Sequence, residues 1–262
     1  MLRKLLPVMA VIGLFCGTAA DTRADQALRV GVSAGPYAEI LSFVAEQGKK
    51  QGLEIKVVEF NEYTLPNAAL AADDLDLNVY QHQQWLDNQV ATRGYDIVSI
   101  AKAIIVPLGA YSKKIASPSD IKDGATTAIP NDPANGARAL QLIEKQGLIK
   151  LKPGVGVKAT VADITENPKH LKIKELDAGQ LPRALEDVDF AVINLNYAIN
   201  AGLDPKKALF IESGDTEWNL VIATRAKNKD NPAIQRFVAL YRSPEAKEFI
   251  LKRFGGTILT TW

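Results

Sequence analysis

Short apolar runs alternate along this chain with stretches whose apolar residues recur every three or four positions. Residues 28–32 and 54–60 are apolar runs typical of strands, and residues 37–50 between them place their apolar side chains on one face of a helix. A short helix over residues 67–72 then leads into a strand over residues 75–80. This βαβαβ order predicts a parallel sheet with right-handed crossovers.

The rhythm changes between residues 95 and 112. Two apolar runs, 97–100 and 104–111, follow each other with almost no room for a helix between them, and we expect these strands to leave the first domain. A second α/β series then has strands over 126–129, 171–175 and 190–193 and helices over 137–146 and 178–186. A strand over 219–224 and helices over 232–254 complete the pattern.

These elements predict an α/β fold with two domains and a ligand cleft between them. We expect domain I over residues 25–112 and 225–262 and domain II over residues 113–224, with the chain crossing near residues 110–117 and 217–225. Two predicted strands end in amides and aromatics, because Gln81 and His82 follow one and Asn194 follows the other. Side chains at strand ends of open α/β sheets line ligand crevices, so the pattern indicates a binding protein that closes by a hinge.

The first 24 residues have the pattern of a secretory signal peptide. Arg3 and Lys4 precede an apolar stretch over residues 5–15 that is too short to span a bilayer, and small residues follow. We predict cleavage after Ala24 and export to the periplasm. Cys16 raises the alternative of a membrane-anchored lipoprotein, although the positions that a lipoprotein signal requires to be Leu and small hold Gly13 and Phe15.

Charge and composition exclude several functional classes. The formal net charge is +1, and residues 1–24 contain three basic residues and one acidic residue, so −1 remains after cleavage, which argues against a nucleic-acid partner. Cys16 is the only cysteine, and His82 and His170 lie far apart in the sequence, so neither a disulfide nor a zinc site is expected. No nucleophile elbow, phosphate-binding glycine loop or metalloprotease motif occurs, and we therefore expect neither catalysis nor a cofactor.

Six segments, in order along the chain, carry a resemblance to a known family. They are Pro36-Tyr37-Ala38-Glu39-Ile40-Leu41, Pro66-Asn67-Ala68-Ala69-Leu70, Tyr80-Gln81-His82, Ile129-Pro130-Asn131-Asp132-Pro133, Gln180-Leu181-Pro182-Arg183-Ala184-Leu185 and Ala191-Val192-Ile193-Asn194. With these segments the chain resembles the NlpA/MetQ family of methionine-binding receptors over nearly its whole mature length.

The resemblance implies a periplasmic-binding-protein-like fold and a receptor that delivers methionine to an ABC permease and its ATPase. We expect a monomer. By position, Arg138 would bind the ligand carboxylate, Asn194 and Asn219 would hold the polar end of the amino acid, and Tyr63, Tyr80 and His82 would enclose its side chain.

The chemistry of these residue types agrees with those roles. Arginine offers a planar bidentate cation to a carboxylate, and an unpaired amide at Asn194 would cost about 1–3 kcal/mol unless a ligand paired with it. Aromatic edges pack well against a thioether sulfur. The alternatives are that Asn135 caps a helix on which Arg138 is solvated, that Asn194 or, in preference, Asn196 is a helix cap, and that the aromatic residues are core.

The chain also departs from the family pattern at three places. Tyr37 stands where the family often has His, Val106-Pro107 stands where a Glu-Pro pair is usual, and Leu195 stands where a small polar residue is usual. L-methionine is the first expectation for the ligand, and D-methionine, another sulfur amino acid or a methionyl peptide are the alternatives. A membrane-anchored interaction protein and a periplasmic enzyme are further alternatives. We also expect Trp218 to lie at the cleft, and Trp85 and Trp262 to lie away from it.

Overall fold

The computed structural model describes residues 27–214 and 217–262. The strands are β1 (Leu28–Ser33), β2 (Ile55–Phe60), β3 (Leu77–His82), β4 (Ile97–Ile105), β5 (Leu108–Tyr111), β6 (Thr126–Pro130), β7 (Lys150–Leu151), β8 (Ile164–Glu166), β9 (Lys172–Leu176), β10 (Phe190–Asn194), β11 (Phe210–Ile211), β12 (Asn219–Arg225) and β13 (Leu259–Thr260). The helices are α1 (Pro36–Lys50), α2 (Leu65–Ala71), α3 (Gln83–Arg93), α4 (Pro133–Lys145), α5 (Leu181–Ala184), α6 (Leu195–Asn200), α7 (Pro232–Tyr241) and α8 (Pro244–Phe254).

Domain I is built on a six-stranded sheet in the order β13-β4-β12-β3-β1-β2. Strand β1 pairs in parallel with β2 and β3, as the βαβαβ pattern predicts, whereas β12 is antiparallel to both β3 and β4. Buried apolar residues of β1, α1 and α7 belong to one core cluster, which includes Val30, Ile40 and Phe237. This arrangement brings the carboxyl end of the central strand β3 to the side of domain I that faces the second domain.

Domain II is built on a five-stranded sheet in the order β11-β5-β10-β6-β9. Strand β6 pairs in parallel with β9 and β10, and β5 runs antiparallel to β10. The apolar face of α4, including Leu140 and Ile143, packs into the same core as Phe190 and Val192 of β10. The predicted class of two α/β domains is confirmed.

The sheet pairing shifts both predicted crossings toward lower residue numbers. Strand β5 at residues 108–111 lies in the five-stranded sheet, and β12 at residues 219–225 lies in the six-stranded sheet, so the predicted boundaries at 112/113 and 224/225 are wrong for these two strands. The first crossing is Val106-Pro107, where Pro107 has no N–H to continue a ladder. The apolar run over residues 104–111 is continuous in sequence, and hydrophobicity alone cannot show where a strand changes its sheet.

The two domains approach each other closely at Gly35 and helix α6. Gly35 has a φ of 95°, and a Cβ atom there would clash with Oδ1 of Asn200 on α6. The side-chain amide of Asn200 donates to the carbonyl of Ala34 at 3.2 Å, and the hydroxyl of Tyr197 donates to the carbonyl of Asn61 at 2.9 Å. The structure is therefore closed around the space between the domains.

Two predictions concern residues outside the described ones: the signal peptide over residues 1–24 and lipidation at Cys16. Among the helices of residues 27–214 and 217–262, none combines the length and the apolar character needed to cross a membrane.

Candidate ligand-binding site

A cavity lies between the two domains. It is lined by side chains of both domains and of the first crossing: Tyr37, Tyr63, Tyr80, Gln81, His82, Trp85, Val106, Pro107, Asn135, Arg138, Asn194, Leu195 and Leu220. Five of the six predicted site residues are in this set, and Asn219 is not. The strand-end pattern at β3 and β10 therefore identified both sides of the cavity.

The end of β3 supplies the aromatic wall. The hydroxyl of Tyr80 accepts a hydrogen bond of 3.0 Å from Nε1 of Trp85, and the ring of Tyr63 lies 6.0 Å from that of Trp85 and 6.3 Å from that of Tyr80. Trp85 therefore lines the cavity, and the expectation that it lies away from the cleft is wrong. It lies in the first turn of α3, which begins immediately after β3, so the turn carries the indole back over the strand end.

Buried amides hold the end of β3 in place behind this wall. Asn67 on α2 exchanges two hydrogen bonds of 2.7 Å with Gln81, and Asn78 bonds to both of them at 2.9 Å. All three side chains are buried, and each has partners for its amide. A fully paired buried network of this kind makes the backbone rigid, which keeps Tyr80 and His82 in position.

His82 is buried in its neutral form. Its Nδ1 accepts from the backbone N–H of Trp85 at 3.1 Å, so the proton lies on Nε2, which donates to Oδ1 of Asn135 at 3.3 Å. Burial, together with the nearby positive charge of Arg138, lowers the pKa of His82 to about 3. The imidazole therefore adds no charge to the cavity at neutral pH.

Asn135 orients the asparagine at the end of β10. Its side-chain amide donates to both oxygens of Asp132 at 3.1 Å, so its Oδ1 points the other way and accepts from the amide of Asn194 at 2.9 Å. The Oδ1 of Asn194 is buried and has no hydrogen-bond partner. An acceptor left unpaired in a cavity requires a donor, and a ligand ammonium group would supply one.

The helix caps differ from the predicted ones. Asp132, not Asn135, caps α4, which begins at Pro133, four residues before the predicted start. Asn196 is not a cap, because Asn194 occupies the N-cap position of α6 and makes no side-chain capping bond. The Oδ1 of Asn196 instead accepts from the hydroxyl of Tyr63 at 2.6 Å and from that of Tyr37 at 3.4 Å, which links domain II to domain I.

Arg138 is buried and bound to the crossings between the domains. Its Nε and Nη2 bond to the two oxygens of Glu212 at 2.8 and 2.5 Å, and Nη2 also donates to the carbonyl of Val106 at 2.8 Å. Its side chain is only 3% exposed, so the alternative of a solvated arginine is wrong. The Nε–Nη2 edge that could have bound a ligand carboxylate in a bidentate manner is taken by Glu212, which the sequence pattern did not single out.

Trp218 and Asn219 lie at the second crossing. The ring of Trp218 meets that of His82 edge-on at 5.0 Å, and the guanidinium carbon of Arg138 lies 5.4 Å from the centre of the indole. Asn219 is buried at the start of β12, paired with Ile105, and the next residue, Leu220, lines the cavity. A direct contact between Asn219 and a ligand stays a prediction.

The arrangement offers groups that are suited to recognition. Burial raises the pKa of Tyr37, Tyr63 and Tyr80, so these hydroxyls are neutral hydrogen-bonding groups. Throughout residues 27–214 and 217–262, no three His, Cys, Asp or Glu side chains gather in a way that could hold a metal ion. The cavity combines one cation, one unpaired amide oxygen and an aromatic wall, which together match a small molecule that has a polar and an apolar end.

Comparison with known proteins gives the same family as the six sequence segments. The family model described as NlpA lipoprotein matches residues 28–262. The D-methionine-binding lipoprotein MetQ of Salmonella typhimurium (strain LT2) is 44% identical over 263 residues, covering 97% of this chain and 96% of that protein.

Solved structures agree with this assignment. A nutrient binding protein from Burkholderia cenocepacia bound to methionine is 52% identical with a TM-score of 0.87, covering 90% of this chain and 100% of that one. The crystal structure of the methionine binding protein MetQ is 43% identical with a TM-score of 0.87, covering 90% and 98%. Since sequence and fold agree over nearly the full length, this chain belongs to the NlpA lipoprotein family.

Proposed function

We propose that this chain is the substrate-binding protein of an ABC importer, which binds methionine in the cavity between its domains and delivers it to the permease. The observation that carries the proposal is the presence, in one cavity, of the cation Arg138 and of the Oδ1 of Asn194, which has no partner. A cation and a free acceptor are the two partners that the carboxylate and the ammonium of an amino acid need.

The polar end of the ligand would lie between these groups. Nη1 of Arg138 makes no hydrogen bond within the described part of the chain, and it is the donor that we assign to the ligand carboxylate. Oδ1 of Asn194 would accept from the ammonium. We retain Asn219 as a further polar contact, reached through a small movement at the start of β12.

The apolar end would lie against the aromatic wall. Tyr63, Tyr80 and Trp85 present ring faces and edges at the domain I side, and His82 is neutral. A thioether gains about 0.3–1.5 kcal/mol from each aromatic contact, which favours methionine over a branched side chain of similar size. The relative from Burkholderia cenocepacia was solved with methionine bound, and the Salmonella relative is named for D-methionine.

We assign L-methionine as the ligand, with D-methionine, another sulfur amino acid or a methionyl peptide as the alternatives. Thermal shift and calorimetry with the purified mature chain would decide between them, because a ligand at 100 times its Kd stabilises the folded state by about 2.7 kcal/mol. All twenty amino acids, both methionine enantiomers and Gly-Met would be compared. Binding of a non-amino-acid solute alone would refute the proposal.

The role as a receptor implies that the ligand is released unchanged. We propose no catalytic residue and no cofactor, and we assign as partners the permease and ATPase of a methionine importer, with a monomeric receptor. Incubation of methionine with the protein, followed by mass spectrometry of the small-molecule fraction, should return methionine only.

We propose that the protein acts in the periplasm. Cleavage after Ala24 would release a mature chain that begins at Asp25, whereas lipidation would leave a membrane-anchored chain that begins at Cys16. Intact-mass measurement of the exported protein distinguishes a free amino terminus at Asp25 from a diacylated Cys16.

A further inference from the structure

Among residues 27–214 and 217–262, Glu212 is the one acidic side chain bonded to Arg138, the cation of the cavity. It follows β11 directly, at the start of the second crossing between the domains. Its Oε1 accepts from Nε of Arg138, and its Oε2 accepts both from Nη2 of Arg138 and from the backbone N–H of Leu108, the latter at 2.8 Å. Its side chain is 11% exposed, so the ion pair is largely shielded from water.

This pair determines the charge balance of the cavity. Of the described residues that line it, Arg138 alone has a full charge at neutral pH, because burial keeps the tyrosines and His82 in their neutral forms. Glu212 neutralises that charge, because its carboxylate accepts two hydrogen bonds from the guanidinium. A ligand that enters the cavity therefore meets an arginine whose charge is already compensated.

We infer that Glu212 is a specificity-determining residue that makes the cavity select a zwitterion over an anion of the same shape. An anionic ligand would bring an uncompensated negative charge into the closed cavity, beside an arginine that is already paired, and burial of an unpaired charge is costly. A zwitterion brings no net charge, and both of its ends find partners. The inference rests on the proposed function, since it takes an amino acid as the ligand.

The structure also indicates why a carboxylate is suited to this position. Glu212 takes the Nε–Nη2 edge of the guanidinium, and the carbonyl of Val106 takes the second hydrogen of Nη2, so Nη1 alone is left for the ligand. Without the charge of Glu212, Arg138 would become a free buried cation that attracts any anion. The preference for a zwitterion over an anion thus depends on Glu212, a residue that does not line the cavity.

The test compares three ligands that share the methylthioalkyl chain and differ in charge: L-methionine, the anion 4-(methylthio)butanoate, which lacks the amino group, and the cation 3-(methylthio)propylamine, which lacks the carboxylate. Calorimetry would give the Kd of each for wild type and for Glu212→Gln. At an effective dielectric constant of about 20, removal of one charge several ångströms away changes a ligand's affinity on the order of 10- to 50-fold. We expect Glu212→Gln to strengthen binding of the anion relative to methionine, and to weaken binding of the cation, by factors of this size.

A matched control is available on the same domain. Glu144 also accepts a backbone hydrogen bond, from Leu151 at 2.7 Å, and it does not line the cavity, so Glu144→Gln should leave all three affinities unchanged. Glu212→Asp keeps the charge and should keep the wild-type order of preference. If Glu212→Gln changes all three affinities by the same factor, Glu212 is only structural and the inference is wrong.

Wild-type protein alone gives a second test, which does not depend on the folding of any variant. The inference requires that wild type bind the anion at least about tenfold more weakly than methionine, and equal affinities would overturn it. If wild type binds no methionine at all, the proposed function fails. If it binds methionine and only the charge preference is absent, the inference about Glu212 fails by itself.

Discussion

Asn194 donates its side-chain amide to Oδ1 of Asn135 at 2.9 Å, and this bond turns the oxygen of Asn194 toward a cavity in which it has no partner. The orientation is set from Asp132, whose carboxylate holds the amide of Asn135. A row of three polar side chains, Asp132, Asn135 and Asn194, thus determines that a ligand meets the oxygen of Asn194 and not its amide nitrogen.

Asn135→Ala should weaken methionine binding about tenfold or more. The substitution removes the acceptor of Asn194 and of His82, and a buried donor left without a partner costs about 1–3 kcal/mol. Asn194 would also be free to turn its amide toward the ligand ammonium. Calorimetry measures the loss, with Asn88→Ala on α3 as a control, because Asn88 does not line the cavity. Equal affinities for wild type and Asn135→Ala would show that this row does not orient the site.

Arg138→Ala should abolish methionine binding and also lower the free energy of unfolding by about 3–5 kcal/mol, because it leaves the carboxylate of Glu212 buried without its cation. The double variant Arg138→Met, Glu212→Gln removes both charges and should recover most of the stability without recovering binding. Urea unfolding and calorimetry on both variants separate the two effects. Strong binding by the double variant would remove Arg138 from the ligand site.

Methionine should change the intrinsic fluorescence through two tryptophans. Trp85 lines the cavity, and Trp218 packs against His82 and Arg138 beside it, whereas Trp262 packs against Tyr241 in the core of domain I. We expect Trp85→Phe and Trp218→Phe each to lose part of the signal, and Trp262→Phe to keep all of it. A full signal in the first two variants would contradict the placement of the cavity.

Stability should fall as the pH drops from 7 to 5 because His82 is buried without a proton. Its folded-state pKa is about 3, against about 6.5 in the unfolded chain, so between these values the unfolded state binds a proton that the folded state does not. The difference amounts to about 2 kcal/mol at pH 5 relative to pH 7. The stabilisation is fully present above pH 6.5 and decreases toward pH 3.

His82→Asn provides the comparison for this pH effect. Asparagine is a good N-cap and can replace Nδ1 at the start of α3, but it does not titrate. Urea unfolding of both proteins at pH 7 and pH 5 should show a drop that is about 2 kcal/mol larger for wild type. Parallel loss in the two proteins would mean that His82 does not stay neutral in the folded state.

The sequence by itself determined the elements and their class. Apolar runs of four to seven residues between helical stretches predicted β1, β2, β3, β6 and β10, and the change to polar side chains at the ends of β3 and β10 predicted where the cavity lies. These features are local. A buried strand is visible as a run of consecutive apolar residues, and the point at which it meets a crevice is visible as the polar residues that follow directly. The six family segments led to the family in the same way.

Only the tertiary structure decided the partners of the side chains. Glu212 lies 74 positions from Arg138, and Asn135 lies 53 positions from His82 and 59 from Asn194, so no periodicity links them. The sheet to which β5 and β12 belong, and the place of Trp85 over Tyr80, likewise depend on pairing between distant segments. Hydrophobic pattern records whether a residue is buried, whereas the bonds that orient a ligand site are set by which buried residues meet.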